Sequence, residues 1–257
     1  MNFKISVSFV ILFALFSGMS AFAQLTPTNG AGATIGHIHL LVPDPEVHKK
    51  LWVDLFDAQV AKTGALEFIK IPGVILLLNN PQPGAVPGDP TADHFALAVH
   101  DLASMKAKLS AANISMPDGK FAEFPDGVRV EFIEDKDLGV PVAFHHFHLF
   151  AQDAEGLNDW YVKTFGGVEF PDGPDFPGGK IYFREQSDPP RVATKGHVFD
   201  HISFEIADLD AFCKKLEAQG TKLDMSIIDA PQIGLKVTFV TDPAGTRIEL
   251  TQGFAGK

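Results

Sequence analysis

The segment TIGHIHLLVPD (34–44) recurs three times, as TADHFALAVHD (91–101), AFHHFHLFAQD (143–153) and VFDHISFEIAD (198–208). Each copy has a histidine at its fourth position and an aspartate seven residues later. The four histidines are separated by 57, 52 and 55 residues. A fixed internal repeat of this kind predicts four copies of one supersecondary unit.

The repeated segment also alternates between apolar and more polar residues. In every copy the residues one, three and five places after the histidine are apolar, as Ile38, Leu40 and Val42 are in the first. This alternation predicts a β-strand with one face on a core, and the histidines then lie on the opposite face. Helices are predicted after the aspartates, at residues 45–56, 102–112, 154–165 and 209–219. Each aspartate should cap its helix by accepting hydrogen bonds from the first free N–H groups.

Length and charge narrow the class of protein. A chain of 257 residues suits one large domain or two domains of about 100–130 residues. Lys and Arg number 21 against 32 Asp and Glu, which gives a net charge of −11. An acidic chain without a basic cluster argues against nucleic acid or an anionic membrane as partner. We expect a small-molecule substrate, and a protein that is a monomer or a homo-oligomer.

The first 23 residues have the pattern of a secretory signal peptide. One positive charge in MNFK precedes an apolar run over residues 5–16, and Ala21-Phe22-Ala23 forms a cleavage site. An uncleaved anchor is the alternative interpretation. With cleavage, residues 24–33 form a linker and the mature protein is secreted or periplasmic, without membrane attachment. Its single cysteine, Cys213, allows no disulfide within one chain.

The four repeats and the closing segment FVTDPAGTRIEL (239–250) resemble a known family. They look like the βαβββ modules of the vicinal oxygen chelate superfamily, which includes glyoxalase I, bleomycin-resistance proteins and extradiol dioxygenases. The resemblance implies an α+β fold in which four βαβββ modules form two glyoxalase-like half-barrel domains. The two domains would span residues 34–135 and 143–252.

The resemblance also implies two metal sites, each with two histidines and one glutamate. The matching residues are His37, His94 and Glu131 in the first half, and His146, His201 and Glu249 in the second half. Imidazole and carboxylate ligands suit a divalent ion, with Fe²⁺ favoured and Mn²⁺ or Zn²⁺ as alternatives. The second half has the closing segment that follows the family pattern more fully, so we expect the active site there.

Two departures from the family bear on the reaction. Glyoxalase I uses a second glutamate, and the positions predicted to match it are Leu77 and Phe183. Extradiol dioxygenases have a tyrosine ten residues before the last ligand, where this chain has Phe239. They also have an upstream histidine, whereas residues 202–257 contain none.

Three residues are predicted to supply acid–base or hydrogen-bonding groups in their place. His39 and His148 each lie two residues after a ligand histidine, on the same strand face, and Tyr182 lies in the strand 180–186. The three-ligand set favours an extradiol-type dioxygenase acting on a substrate that chelates the metal through two adjacent oxygens. A glyoxalase-like lyase or isomerase and a non-catalytic binding protein are the alternatives.

Overall fold

The computed structural model describes residues 25–82, 86–186 and 189–257. The predicted signal peptide and its cleavage site lie outside these ranges. The helices in the described residues are α1 (Pro45–Phe56), α2 (Leu102–Ala111), α3 (Ala154–Phe165) and α4 (Leu209–Ala218). Among these described helices, none has the length and apolar character needed to span a membrane.

The strands follow the order that the repeat predicts, one leading strand and then a helix and further strands in each module. Modules one and two contain β1 (Ala33–Leu41), β2 (Gln59–Thr63), β3 (Leu66–Ile71), β4 (Val74–Asn79), β5 (Ala92–Val99), β6 (Phe121–Glu123) and β7 (Arg129–Glu134). Modules three and four contain β8 (Val142–Ala151), β9 (Asp175–Phe176), β10 (Gly179–Glu185), β11 (Phe199–Ile206), β12 (Ile228–Ala230), β13 (Leu235–Thr241) and β14 (Arg247–Gln252). The predicted α+β architecture of four modules is confirmed.

The four repeat aspartates cap the helices as predicted. The Asp44 side chain accepts hydrogen bonds from the backbone N–H groups of Glu46 and Val47 at the start of α1. Asp101, Asp153 and Asp208 each accept one from the residue three places further on. These bonds satisfy N–H groups that a helix leaves free at its first turn. The repeated Asp therefore sets where each helix begins.

The strands form two sheets, and each sheet combines modules from both halves of the chain. The first sheet has the order β12-β13-β14-β11-β1-β4-β3-β2 and the second has the order β6-β7-β5-β8-β10-β9. At their centres β1 runs antiparallel to β11, and β5 runs antiparallel to β8. The prediction that residues 34–135 and 143–252 each close a sheet of their own is therefore wrong. All four leading strands share one apolar pattern, which fixes the buried face but not the neighbouring strand.

The apolar faces of the two sheets meet in one continuous core. It contains the predicted apolar residues of every leading strand. Phe199 of the first sheet lies 6.0 Å from both Phe95 and Phe147 of the second sheet, between ring centroids. The repeat histidines are consequently directed to the other face of each sheet. We call that face of the first sheet the first cup and that of the second sheet the second cup.

Helix packing does follow the sequence halves. Trp52 on α1 stacks on Phe124 of module two, with ring centroids 5.0 Å apart. Phe165 on α3 stacks on Phe204 of module four at 3.9 Å. The helices of modules one and three thus pack against the next module in the chain, while their leading strands join the other half. The two halves interlock, which fixes both cups in one body.

Candidate metal centres

The six predicted ligands meet in two clusters, one in each cup. The first cluster is His37, His201 and Glu249, with His39 as a fourth residue within the same ligand distance, and the second cluster is His94, Glu131 and His146. The sequence prediction had His37 with His94 and Glu131, and His146 with His201 and Glu249. That grouping is wrong because β1 pairs with β11 and β5 with β8, so His37 and His146 exchange partners.

The ligand atoms of the first cluster converge on one point. Glu249 Oε2 lies 3.0 Å from His37 Nε2 and 2.8 Å from His201 Nε2, and the two Nε2 atoms are 3.4 Å apart. All three residues are buried. Ligands at about 2.0–2.2 Å from one ion, at angles between about 90° and 110°, are separated by roughly 2.8–3.6 Å. The spacing of these atoms fits one ion.

The second cluster has the same plan. Glu131 Oε2 lies 3.0 Å from His94 Nε2 and 3.4 Å from His146 Nε2, and the latter atom makes no hydrogen bond with the described residues. The other carboxylate oxygen of Glu131 accepts from Lys120 Nζ at 2.7 Å. His145 and His146 have their Nδ1 atoms 2.8 Å apart, so that one ring donates to the other. That contact directs the buried His146 Nε2 atom at the same point as His94 Nε2.

An aspartate before one histidine of each cluster fixes its tautomer. Asp93 accepts from His94 Nδ1 at 2.6 Å, and Asp200 accepts from His201 Nδ1 at 2.5 Å. A proton held on Nδ1 leaves the Nε2 lone pair directed at the cluster. Carboxylate–imidazole pairs of this kind orient the histidine and raise its basicity in metal sites. The donor sets of both clusters therefore fit a divalent ion, which these residues would hold through Nε2 and carboxylate oxygen.

An arginine two residues before each glutamate completes the arrangement. Arg129 donates to Asp93 at 2.7 Å, and Arg247 donates to Asp200 at 2.9 Å. Each guanidinium also lies over an aromatic ring on the neighbouring strand of its sheet. Arg129 lies 3.8 Å from the centroid of the Phe121 ring, and Arg247 lies 3.7 Å from that of Phe239. These four charged residues were not among those predicted from the sequence. Their signal was present, since Asp-His occurs in modules two and four together with Arg-x-Glu.

The charges within the clusters shift the pKa values of their members. Burial acts to raise the pKa of Glu131, but the contacts with His146, His94 and Lys120 outweigh it and hold that pKa below its ordinary value. Burial acts to lower the pKa of His94, but hydrogen bonds with Asp93 and Glu131 raise it. In the first cluster Glu249 and His201 are shifted in the same directions, since burial is again outweighed by the partner groups. Both glutamates are therefore anionic, as metal ligands must be.

The predicted catalytic histidines lie beside the clusters. His39 is the direct neighbour of His201 across the sheet, and His148 is the direct neighbour of His94. Burial, followed by the charge of His201, lowers the pKa of His39 to about 3. Burial, followed by the charge of His94, lowers the pKa of His148 to about 4. Both rings are neutral at pH 7, and the buried Nδ1 of each has no hydrogen-bond partner among the described residues.

The strand register corrects one predicted equivalence. Leu77 pairs with His39, and in the second cup Tyr182 pairs with His148, so Tyr182 is the counterpart of Leu77. Phe183, which the sequence analysis had placed there, pairs with Leu149 and its ring contacts Tyr161 on the core side. Tyr182 lies over the His146 ring, with centroids 4.4 Å apart. Neither cup has a carboxylate at this position.

The cavity of the second cup reaches its cluster. It has a volume of about 630 Å³ and its lining includes His94, Glu131, His146, His148 and Tyr182. A cavity of this size accommodates a small organic molecule. The predicted site residues of the second cup therefore all border one space.

An apolar group covers the first cluster. It comprises Leu25, Phe68, Ile75, Leu77, Leu235 and Phe254. The Phe254 ring lies edge-on to His37 at 5.6 Å. Leu77 of this group is the neighbour of His39 across β1 and β4, so His39 has an apolar side chain on that side.

Comparisons with known proteins agree with this arrangement. Residues 143–250 match the model of the Glyoxalase/Bleomycin resistance protein/Dioxygenase superfamily. No curated protein sequence matches the chain. The family match and the four modules, each a leading strand, a helix and two or three further strands, confirm the resemblance inferred from the four repeats.

Solved structures share the fold at low sequence identity. A proposed dioxygenase from Bacillus subtilis has a TM-score of 0.63 at 15% identity, covering 91% of this chain and 88% of its own. Glyoxalase I from Zea mays has a TM-score of 0.63 at 17% identity, covering 86% of this chain and 93% of its own. Residues 143–250 thus match the superfamily by sequence, and the described chain shares the fold of these two solved structures.

Proposed function

We propose that this chain is a metal-dependent enzyme of the vicinal oxygen chelate superfamily whose reaction takes place in the second cup. Its substrate would be a small molecule that binds through two adjacent oxygen atoms, and the reaction we favour is an extradiol-type ring cleavage. The observation that carries this proposal is the convergence of His94, Glu131 and His146 at a cavity of about 630 Å³. The active half predicted from the sequence is replaced by a site that both halves build.

The number of ligands favours the dioxygenase over a glyoxalase-type reaction. Two histidines and one carboxylate leave positions open on an ion such as Fe²⁺. A glyoxalase-type set would need a further carboxylate, and the wall position next to His148 carries Tyr182. When bound, the ion would polarise the two substrate oxygens and, as iron, would supply redox chemistry with dioxygen.

The protein's own groups have separate parts in this scheme. Asp93 and Arg129 hold the His94 ring in place, and Lys120 donates to the second carboxylate oxygen of Glu131. The neutral His148 ring stacks on His94, with centroids 4.8 Å apart, and is the group that we assign to hydrogen bonding with the substrate. Phe121 and Tyr182 form walls that exclude water from the bound molecule.

We also propose that the protein is exported and that cleavage precedes Gln24. The support is the apolar run and the Ala21-Phe22-Ala23 pattern in the sequence. The intact mass of the protein recovered from the cell envelope or medium tests this. A mass that still includes residues 1–23 would refute cleavage.

The test of the reaction begins with elemental analysis of the purified protein and oxygen uptake with catechol and 3,4-dihydroxybenzoate. We expect bound iron, and oxygen consumption with at least one of the two probes. Zinc or nickel with isomerisation of a hemithioacetal would favour the lyase. Absence of any bound divalent ion would favour the alternative of a non-catalytic binding protein.

A matched pair of variants then locates the reaction. Glu131→Gln keeps the shape of the second cluster but removes its anionic ligand, and Glu249→Gln does the same in the first cluster. We expect activity to fall at least about a hundredfold in Glu131→Gln and to change less than about threefold in Glu249→Gln. The reverse result would place the reaction in the first cup.

A further inference from the structure

The second cup contains charged groups that the metal cluster does not use. Its cavity is lined by four cationic side chains, Lys120, Arg129, Arg184 and Arg191. This is unexpected in a chain with a net charge of −11. Positive groups gathered around one cavity concentrate anions there.

Two of the four cations are neutralised within the cluster. Lys120 donates to Glu131 and Arg129 donates to Asp93, each at 2.7 Å. Both are therefore part of the support for the metal ligands, and they leave little net charge for a bound molecule.

The other two have no acidic partner among the described residues. The Arg184 side chain makes neither a hydrogen bond nor an ion pair with residues 25–82, 86–186 and 189–257. Arg191 donates to the Gln186 side chain at 2.7 Å and, at 3.5 Å, to the Pro90 carbonyl, both of which are neutral. Asp172, the remaining acid of the cavity, is paired with neither arginine in the described residues.

Strand register places both arginines at one end of the cavity. Arg184 is the neighbour of Phe150 across β10 and β8, and the Arg191 guanidinium lies over the Phe150 ring at 4.1 Å. Phe150 is two residues beyond His148 on the same strand face, a separation of about 7 Å. The arginine pair thus lies beside Phe150, beyond His148 along β8, and His148 is the strand neighbour of the cluster residue His94.

We propose that Arg184 and Arg191 form a subsite for an oxyanion group of the substrate, a carboxylate or a phosphate monoester. This inference rests on the proposed function, because it places the two chelating oxygens of the same molecule at His94, Glu131 and His146. A guanidinium is always charged and donates two parallel hydrogen bonds to an oxyanion. Phe150 supplies an apolar surface for the part of the molecule between its two polar ends.

The binding experiment uses metal-loaded protein and isothermal titration calorimetry. Catechol tests chelation alone, and 3,4-dihydroxybenzoate adds a carboxylate at the opposite end of the ring. We expect 3,4-dihydroxybenzoate to bind about tenfold more tightly than catechol, because its carboxylate makes charge-assisted hydrogen bonds with the two arginines in a partly open cavity. Arg184→Gln and Arg191→Gln should each reduce that advantage, and the double variant should abolish it.

The matched control is Lys222→Gln, which removes the same charge from an exposed residue that does not line this cavity. It should leave the advantage unchanged. Equal affinity for the two probes in the parent protein, or an advantage that persists in the double variant, would overturn the subsite. Unchanged catechol affinity in the arginine variants shows that the fold and the cluster are intact.

Two further probes separate the subsite from the proposed reaction and identify the oxyanion. Benzoate and phenyl phosphate carry an anion but no adjacent hydroxyl groups. If catechol does not bind, the proposed function fails, and binding of either anion that needs both arginines still supports the subsite. If catechol does not bind and neither anion shows binding that depends on both arginines, the subsite proposal is wrong as well. The tighter of the two anions distinguishes a carboxylate from a phosphate substrate.

Discussion

The strand beside the first ligand histidine differs between the two cups. The paired positions are Ile75, Leu77 and Asn79 on β4 in the first cup, and Lys180, Tyr182 and Arg184 on β10 in the second cup. The ligands themselves match: each cup has two histidines, a glutamate, and an Asp–Arg pair behind one histidine. One ligand frame therefore has an apolar wall in one cup and a polar wall in the other.

The wall decides what each site can do. In the first cup Phe254 covers His37, and it is held there by Glu205, whose Oε1 accepts from the N–H groups of Gly253 and Ala255. Closed sites are typical of structural metals, whereas catalytic sites keep a position open to substrate. We therefore expect the first cluster to retain its ion as a structural element and the second cluster to exchange ligands with solvent.

The largest expected effect comes from removing the cover of the first cup. Phe254→Ala deletes a side chain that is 2% exposed and in contact with Phe68 and His37. We expect a loss of about 3–4 kcal/mol in the free energy of unfolding, as for buried Phe in general. Urea denaturation of the metal-loaded protein measures it.

Phe121→Ala is the matched change in the second cup. Phe121 is only half-buried and borders the cavity, so its removal should cost clearly less. Equal losses in the two variants would show that the cups are equally closed, which contradicts the assignment of a structural and a catalytic site.

Much of the fold and of the site was accessible from the sequence, because the repeat contains strong local signals. Alternation predicted the buried face of each leading strand, and Asp predicted each helix start. The repeat marked the four ligand histidines, and the family resemblance added Glu131 and Glu249. The prediction that was wrong is which strand pairs with each leading strand. Pairing between modules depends on contacts far apart in sequence, and four similar strands give no local preference among them.

One residue does bear on the pairing, and it was overlooked. Gly36 precedes His37, where the other modules have Asp93, His145 and Asp200. A Cβ atom at Gly36 would lie 2.5 Å from Ser203 Oγ and 3.0 Å from the backbone nitrogen of Glu205, so β11 approaches β1 where only glycine fits. The signal for the observed pairing was this exception to the repeat.

The next prediction concerns the aspartates behind the histidines. Asp93→Asn and Asp200→Asn each remove the carboxylate that orients one ligand histidine, and we expect metal affinity at that cluster to fall about 10–100-fold. The readouts should separate the cups. Asp93→Asn should weaken catechol binding, while Asp200→Asn should lower metal content with catechol binding retained.

Metal titration and calorimetry on the two variants measure these effects, with Asp159→Asn as an exposed control. If Asp200→Asn abolished catechol binding and Asp93→Asn did not, the roles of the two cups would be exchanged.

A smaller effect concerns the buried carboxylate behind the first sheet. Asp242 is 4% exposed and accepts hydrogen bonds from the Tyr161 hydroxyl and from the backbone of Thr246. Burial raises the pKa of Asp242 to about 6 from an ordinary value of 3.8. The folded state thus binds the proton more tightly than the unfolded state, and this contribution is complete below pH 3.8 and lost as the pH rises through 6.

Asp242→Asn removes that ionisation. Relative to the variant, the parent protein should lose about 2 kcal/mol of unfolding free energy between pH 4 and pH 7.5. Denaturation at both pH values tests it. Asp159→Asn, which removes an exposed carboxylate from α3, should show the same change in unfolding free energy between the two pH values as the parent. A parent protein that gains stability relative to Asp242→Asn over this range would refute the assigned direction.

The smallest effect distinguishes a wall residue from a catalytic one at Tyr182. Its ring covers His146, burial raises the pKa of its hydroxyl, and that hydroxyl makes no hydrogen bond with the described residues. A hydroxyl that holds its proton this firmly is a poor acid or base at neutral pH, so Tyr182→Phe should change turnover less than about threefold. Tyr182→Leu, which reproduces the Leu77 wall of the first cup, should weaken catechol binding about fivefold because the aromatic contact is lost. Steady-state rates and calorimetry on both variants measure this. A hundredfold fall in turnover for Tyr182→Phe with unchanged catechol affinity would show that the hydroxyl takes part in the reaction, as the sequence predicted. The polar wall of the second cup would then be catalytic as well as shape-determining.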